Sequence, residues 1–198
     1  MTSFDLSYDY RCPFAKNIHL HVVTALRAGA DFTVNFVPWT LSQGYKEESA
    51  PDVWDDLARD AELVALAVSV SVRDRQSELF VDAHEALFRA RHGLGIRLRT
   101  IEEITAVLDP IGVNMDAVNE DLATRRPFDV IGASFRQFEH YEAFGVPTFV
   151  VNGDATFVRY MTEPSDDAKD SIRVLESLIA TMALEPELNE FKRTRVPY

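Results

Sequence analysis

Apolar and polar residues alternate at the start of the chain, with Phe4, Leu6, Tyr8 and Tyr10 set against Asp5, Ser7 and Asp9. A period of two marks a strand with one buried face, so a first strand is expected over Phe4 to Tyr10. The period then changes. Phe14, Ile18, Val22 and Leu26 recur at every fourth position, which predicts a helix over Pro13 to Ala28 that stops at Gly29. Phe32, Val34 and Phe36 return to the period of two and predict a second strand over Phe32 to Val37. Together these segments have about the length of a βαβ unit.

Pro38 to Pro51 is rich in polar and turn residues and reads as a loop. A block of helices is expected next, first over Asp52 to Val72 and then over Gln76 to Arg91. The second carries Leu79, Phe80, Ala83, Leu87 and Phe88 on one side. Gly93-Leu94-Gly95 interrupts the pattern. Thr100 and Glu103 form a capping box ahead of Ile104, Val107 and Leu108. Shorter and longer helices are expected over Asn114 to Ala123 and Phe128 to Phe144. The pattern then turns β-branched and aromatic in Val146-Pro147-Thr148-Phe149-Val150-Val151, a buried strand. Asn152-Gly153-Asp154 signals a hairpin turn into a returning strand over Ala155 to Arg159. Ser165 is placed to cap a last helix over about Asp166 to Ala183, and the tail beyond Pro186 is polar. The order is β-α-β, helices, β-β-α, with no internal repeats.

The single cysteine, Cys12, sits in Tyr10-Arg11-Cys12-Pro13-Phe14-Ala15, where the first strand gives way to the first helix. The free backbone N–H groups and the helix dipole at such a terminus favour a thiolate. Arg11 would add a second favourable charge, or stand as a solvated surface residue. Pro13 fits the first helical position, where its missing N–H costs nothing. Three residues beyond Cys12, where a redox pair would have its second thiol, stands Ala15.

These residues carry a resemblance. Cys12-Pro13-Phe14-Ala15 after a strand, the helical block, and Phe144-Gly145-Val146-Pro147-Thr148 late in the chain resemble the DsbA-like branch of the thioredoxin superfamily. That branch also holds kappa-class glutathione transferases and 2-hydroxychromene-2-carboxylate isomerases. The resemblance covers nearly the whole chain. It implies an α/β, thioredoxin-like fold with an inserted all-helical subdomain. The thioredoxin part would take about residues 1–50 and 145–185, and the insertion about 51–144. It further implies that Cys12 is the nucleophile, that Pro13 and Phe14 tune it, and that Pro147 is a cis-proline. Val146, just before it, would offer its backbone to the bound substrate. Ala15 departs from the dithiol pattern, so the expected chemistry is that of one thiol, resolved by a soluble thiol.

Composition narrows the partners. The chain has 198 residues and a net charge of −12, which argues against nucleic acid. The longest apolar stretch, Leu63 to Val72, is about half of what a membrane span needs. One cysteine allows no internal disulfide, and the N-terminus lacks the apolar segment of a signal peptide, so a cytoplasmic location is expected. The five histidines have no metal-ligand spacing, and with one cysteine no zinc site is expected. His84 and His140 are candidates for a base near Cys12, but each reads better as an ordinary helix residue. Trp39, Trp54 and Tyr45 flank the long loop, as packing or as one wall of a pocket. Gly93-Leu94-Gly95 does not follow a strand and supports no nucleotide site.

The leading expectation is a DsbA-like thiol-disulfide oxidoreductase acting through Cys12 alone. It would hold no tightly bound cofactor and would be regenerated by glutathione or another low-molecular-weight thiol. One alternative is a thiol-dependent transferase or isomerase. Another is a catalytically silent binding protein on the same scaffold. A homodimer through the helical subdomain or the tail is left open.

Overall fold

The computed structural model describes residues 2–195. One mixed sheet is built from β1 (Thr2–Tyr8), β2 (Phe32–Pro38), β3 (Thr148–Val151) and β4 (Asp154–Phe157), in the order β2-β1-β3-β4. β1 and β2 run parallel, with Leu6 beside Phe36. A parallel pair needs a crossover, and α1 (Pro13–Arg27) supplies it. β3 runs antiparallel to β1, with Leu6 beside Phe149, and β4 folds back on β3. β1 is therefore interior, and Leu6 and Tyr8 are fully buried. The closing helix α8 (Ala168–Leu184) packs against α1.

Between β2 and β3 the described elements are helical: α2 (Leu41–Gly44), α3 (Asp60–Arg75), α4 (Ser77–Gly93), α5 (Ile101–Leu108), α6 (Met115–Ala123) and α7 (Arg126–Glu139). The apolar run Leu63 to Val72 lies in α3 and is buried on every side. A helix without a polar face belongs at the centre of a bundle, and α3 packs against α4, α6 and α7. No helix among the described residues is long and apolar enough to cross a membrane.

The element order is the expected one, with local corrections. β1 ends at Tyr8 rather than Tyr10, because the Cys12 N–H donates to the Asp9 carbonyl (3.0 Å) and turns the chain. Residues 52–59 are turns and a short 3₁₀ segment, not the start of α3. Asp56 accepts from the Ala58 N–H there, the kind of side-chain bond that competes with helix. α7 ends at Glu139, five residues before Phe144, and Glu142 takes a left-handed φ of 55°. α8 is capped by Asp167, whose carboxylate accepts from the Lys169 N–H, while Ser165 bonds Asp170. The proposed loop over 38–51 contains the one-turn α2. The Thr100 cap of α5 is as expected, although Glu103 reaches the N–H of Arg99 rather than that of Thr100.

A buried polar chain ties the sheet to the helices. Tyr8 Oη lies 2.8 Å from Ser69 Oγ, and Tyr10 Oη bonds the same Ser69 Oγ at 2.7 Å. Tyr10 Oη also lies 2.8 Å from His84 Nδ1. His84 Nε2 is 2.9 Å from His19 Nδ1, and His19 Nε2 donates to the Ser7 carbonyl. Burial pushes His19 down to about 3, against that last bond. Burial and the neighbouring His19 hold His84 well below the ordinary histidine range. Both rings are neutral at physiological pH, and His84 is committed to this chain rather than to Cys12.

Candidate functional site

Cys12 is the N-cap of α1. Its backbone is extended and its Sγ accepts from the Ala15 N–H at 3.5 Å. Pro13 follows at the first helical position, as expected, and is exposed. On its other side Cys12 Sγ donates to the Val146 carbonyl at 3.2 Å. Residues 134 positions apart thus meet at one sulfur. The Val146–Pro147 peptide bond is cis, and Val146 and Pro147 are both buried. Behind them the Thr148 N–H donates to Ser7 Oγ (2.8 Å), fixing the loop to the end of β1.

The electrostatics differ from the sequence expectation. Burial pushes the Cys12 thiol above its ordinary value, and the Asp9 charge pushes the same way. The amides of Ala15 and Phe14 and the Arg159 charge pull down but do not win. The geometry agrees, because a carbonyl at the sulfur can pair only with S–H. At neutral pH Cys12 therefore rests as a thiol, not as the thiolate that a helix N-terminus alone would favour. Its alkylation by iodoacetamide is expected to be slow at pH 7 and to keep rising beyond the ordinary thiol range near pH 8.5. A plateau reached below that range would contradict this placement.

Arg11 does not serve Cys12. Its guanidinium turns away onto the buried Asp9 carboxylate, at 2.5 Å and 3.0 Å, and onto Ser42 Oγ at 2.7 Å. Burial works against its charge, yet the Asp9 bonds and the Glu62 charge hold it more firmly cationic than usual. It is neither a solvated surface charge nor a thiolate partner, but the fastener of the loop before Cys12 to α2 and α3.

The cation on the cysteine side is Arg159, which the sequence reading did not single out. Its guanidinium lies 4.9 Å from the Phe14 ring and 6.0 Å from that of Phe157. The Val158 N–H donates to the Pro147 carbonyl, so the chain after β4 runs along the proline loop and delivers Arg159 there. Phe157 in turn meets the exposed Phe144 at 5.0 Å. One rim of the site is thus aromatic, with one cation. The hairpin signal at Asn152-Gly153 was the available clue, since it folds residues 155–159 back toward Pro147. His140 lies at the end of α7. Trp39 stacks on Phe135 at 4.9 Å and Trp54 is buried beside it, so both serve as packing, while Tyr45 is exposed. Among the described residues no cluster of three His, Cys, Asp or Glu could hold a metal.

The family model described as the DSBA-like thioredoxin domain matches residues 4–170. No curated protein matches the sequence. Among solved structures, the cytosolic disulfide reductase DsbM from Pseudomonas aeruginosa with GSH is similar, with a TM-score of 0.63 and 16% identity. That match covers 89% of this chain and 98% of the other. The oxidoreductase DsbA from Xylella fastidiosa matches at TM-score 0.56 and 18% identity, over 91% of this chain and 86% of that one. MdbA, a thiol-disulfide oxidoreductase from Actinomyces oris, matches at TM-score 0.60 and 16% identity, over 88% and 79%. At these identities the likeness is one of fold.

Proposed function

Since this chain belongs to the family of DSBA-like thioredoxin domains, we propose that it is a monothiol disulfide reductase in which Cys12 works with a small thiol such as glutathione. The thioredoxin part, about residues 1–50 and 145–185, carries the thiol, and the inserted helical part takes about 51–144. The observation that carries this reading is the sulfur itself, set between the Ala15 amide and the Val146 carbonyl beside Pro147. Ala15 leaves no local resolving thiol.

The direction of reaction is part of the same proposal. A cysteine whose thiolate is strongly stabilised makes an oxidising couple, because its reduced form is favoured. Here burial disfavours the thiolate, which supports the reducing direction. Cys12 gives up its proton to solvent, and the sulfur attacks a mixed disulfide between glutathione and a substrate thiol, whose departing thiolate takes a proton from solvent in turn. The S–S bond breaks and the substrate leaves as a thiol, with Cys12 now joined to glutathione. A second glutathione thiolate attacks that bond, releasing oxidised glutathione and Cys12. The exchange balances: one mixed disulfide and one glutathione thiol become one substrate thiol and one oxidised glutathione, so the second glutathione is the reductant. A substrate entering the site displaces the Cys12–Val146 bond and takes its place against the Val146 backbone.

The cytosolic DsbM structure with GSH supports a small thiol partner and a cytoplasmic setting for this chain. A second reading, a transferase or isomerase that uses the thiol without a disulfide step, is favoured by one observation. A protonated Cys12 can donate to the sulfur of a bound thiol. The test is release of glutathione from a glutathionylated peptide in the presence of reduced glutathione. Catalysis above the uncatalysed rate supports the reductase. An uncatalysed rate with wild-type protein overturns it.

A further inference from the structure

The loop that precedes Cys12 has a second face. Asp9, Tyr10 and Arg11 form one wall of a small cavity of about 30 Å³, closed on the other side by α3 and by Arg91, Arg97 and Arg99. Such a volume takes about two waters, or one carboxylate head. In this acidic chain arginines are mostly held by carboxylates: Arg27 by Asp82 and Glu85, Arg125 by Asp60, Arg126 by Asp74 and Asp121. The cavity's own acids are already engaged, Asp9 by Arg11 and Glu62 by Arg59. Among the described residues Arg91, Arg97 and Arg99 stand in no ion pair, and they converge on this one cavity. The Arg91 Nε is shut off from solvent and has no hydrogen-bond partner. A buried guanidinium N–H without an acceptor is costly.

The backbone is bent to make this arrangement. Leu98, between Arg97 and Arg99, has a φ of 55°, a conformation unfavourable for a bulky residue. It is kept there with its side chain buried, while Arg97 and Arg99 remain exposed. Strain of this kind is retained where the surroundings over-determine it, and it clusters at ligand sites. The His92 imidazole, next to Arg91, lies 2.8 Å from the Tyr10 carbonyl and ties this wall to the loop that carries Cys12.

We propose that the cavity is an anion seat that receives a carboxylate of the small thiol whose sulfur reacts at Cys12. The inference rests on the monothiol reading for the identity of that thiol. The helical part then contributes to binding, and Arg91, Arg97 and Arg99 select thiols that carry a carboxylate. Guanidinium is the group suited to this task, since its planar fork matches a carboxylate.

The experiment is calorimetric binding of S-methylglutathione, which cannot exchange, and of its diethyl ester, which lacks both carboxylates. Wild-type protein is compared with Arg97→Gln, Arg91→Gln and the double variant. Arg97 is exposed, so its variant tests the seat even if Arg91→Gln fails to fold. Arg173→Gln on α8 is the control for net charge. The acid is expected to bind wild type about tenfold or more tighter than the ester. That preference should shrink in Arg97→Gln, vanish in the double variant and persist in Arg173→Gln. Equal affinity of acid and ester for wild type, a preference that survives in the double variant, or no binding of either ligand would overturn the seat. None of these outcomes depends on the reactivity of Cys12, so the monothiol reading stands or falls on its own assay.

Discussion

Cys12→Ser should lose disulfide-reductase turnover by roughly a thousandfold or more, because a hydroxyl cannot form the mixed disulfide that carries the reaction. Its folding should be nearly unchanged. Serine is a preferred N-cap, and it can take over the bond that Sγ accepts from the Ala15 N–H. Cys12→Ala should lose the same turnover and in addition about 1 kcal/mol of stability, the usual effect of an emptied cap. The pair of variants separates the two enzymatic readings. If the side chain only donates a hydrogen bond to the sulfur of a bound thiol, serine retains much of the activity and alanine does not. Steady-state assay of both proteins, with thermal unfolding as the folding control, reads the difference.

The second large effect concerns stability in mild acid. His19 and His84 are buried and neutral in the native protein, His19 with its value pushed down to about 3. In the unfolded chain both titrate near 6.5. Below that value the unfolded state binds more protons than the native state, so stability falls as pH falls. The loss is at most about 1.4 kcal/mol per pH unit for each histidine, and for His19 it continues until about pH 3. His21 and His92, also pushed down by burial, act in the same direction. Paired carboxylates such as Glu62, held at about 2 by Arg59 and Ser42, add their own loss only further down. The interval from pH 6.5 to 5 therefore reports the histidines. Urea unfolding at pH 7.5, 6 and 5 should show midpoints that decline across it. A flat response would mean that the buried pair accepts a proton without penalty.

Much of the fold was legible because local pattern and tertiary role agree. Phe4, Leu6 and Tyr8 alternate in sequence and face one core, and Asn152-Gly153 turns β3 into β4 as such a pair should. Errors arose where a local bond outweighed the apolar spacing. Val53 and Trp54 fit a helical pattern and are buried, yet residues 52–59 do not join α3. The placement of Cys12 at the head of α1 was legible from Pro13 and the change of period. Its electrostatics were not, because the Val146 carbonyl and the covering core arrive from the far end of the chain. Arg11 shows the same limit. Its neighbour in sequence is Cys12, but Asp9, Thr40 and Ser42 set its direction. The three arginines of the cavity carry no local motif. Only the approach of α4 and the Arg97–Arg99 segment to the Asp9–Arg11 loop makes them a group.

The most direct measurement is intact-mass analysis of the protein after exposure to oxidised glutathione at mildly alkaline pH. The account predicts a single glutathione adduct per chain, located on Cys12 and removed by reduced glutathione at a rate that matches turnover. A protein that turns over while no adduct ever forms on Cys12, or an adduct that reduced glutathione does not release, would contradict it.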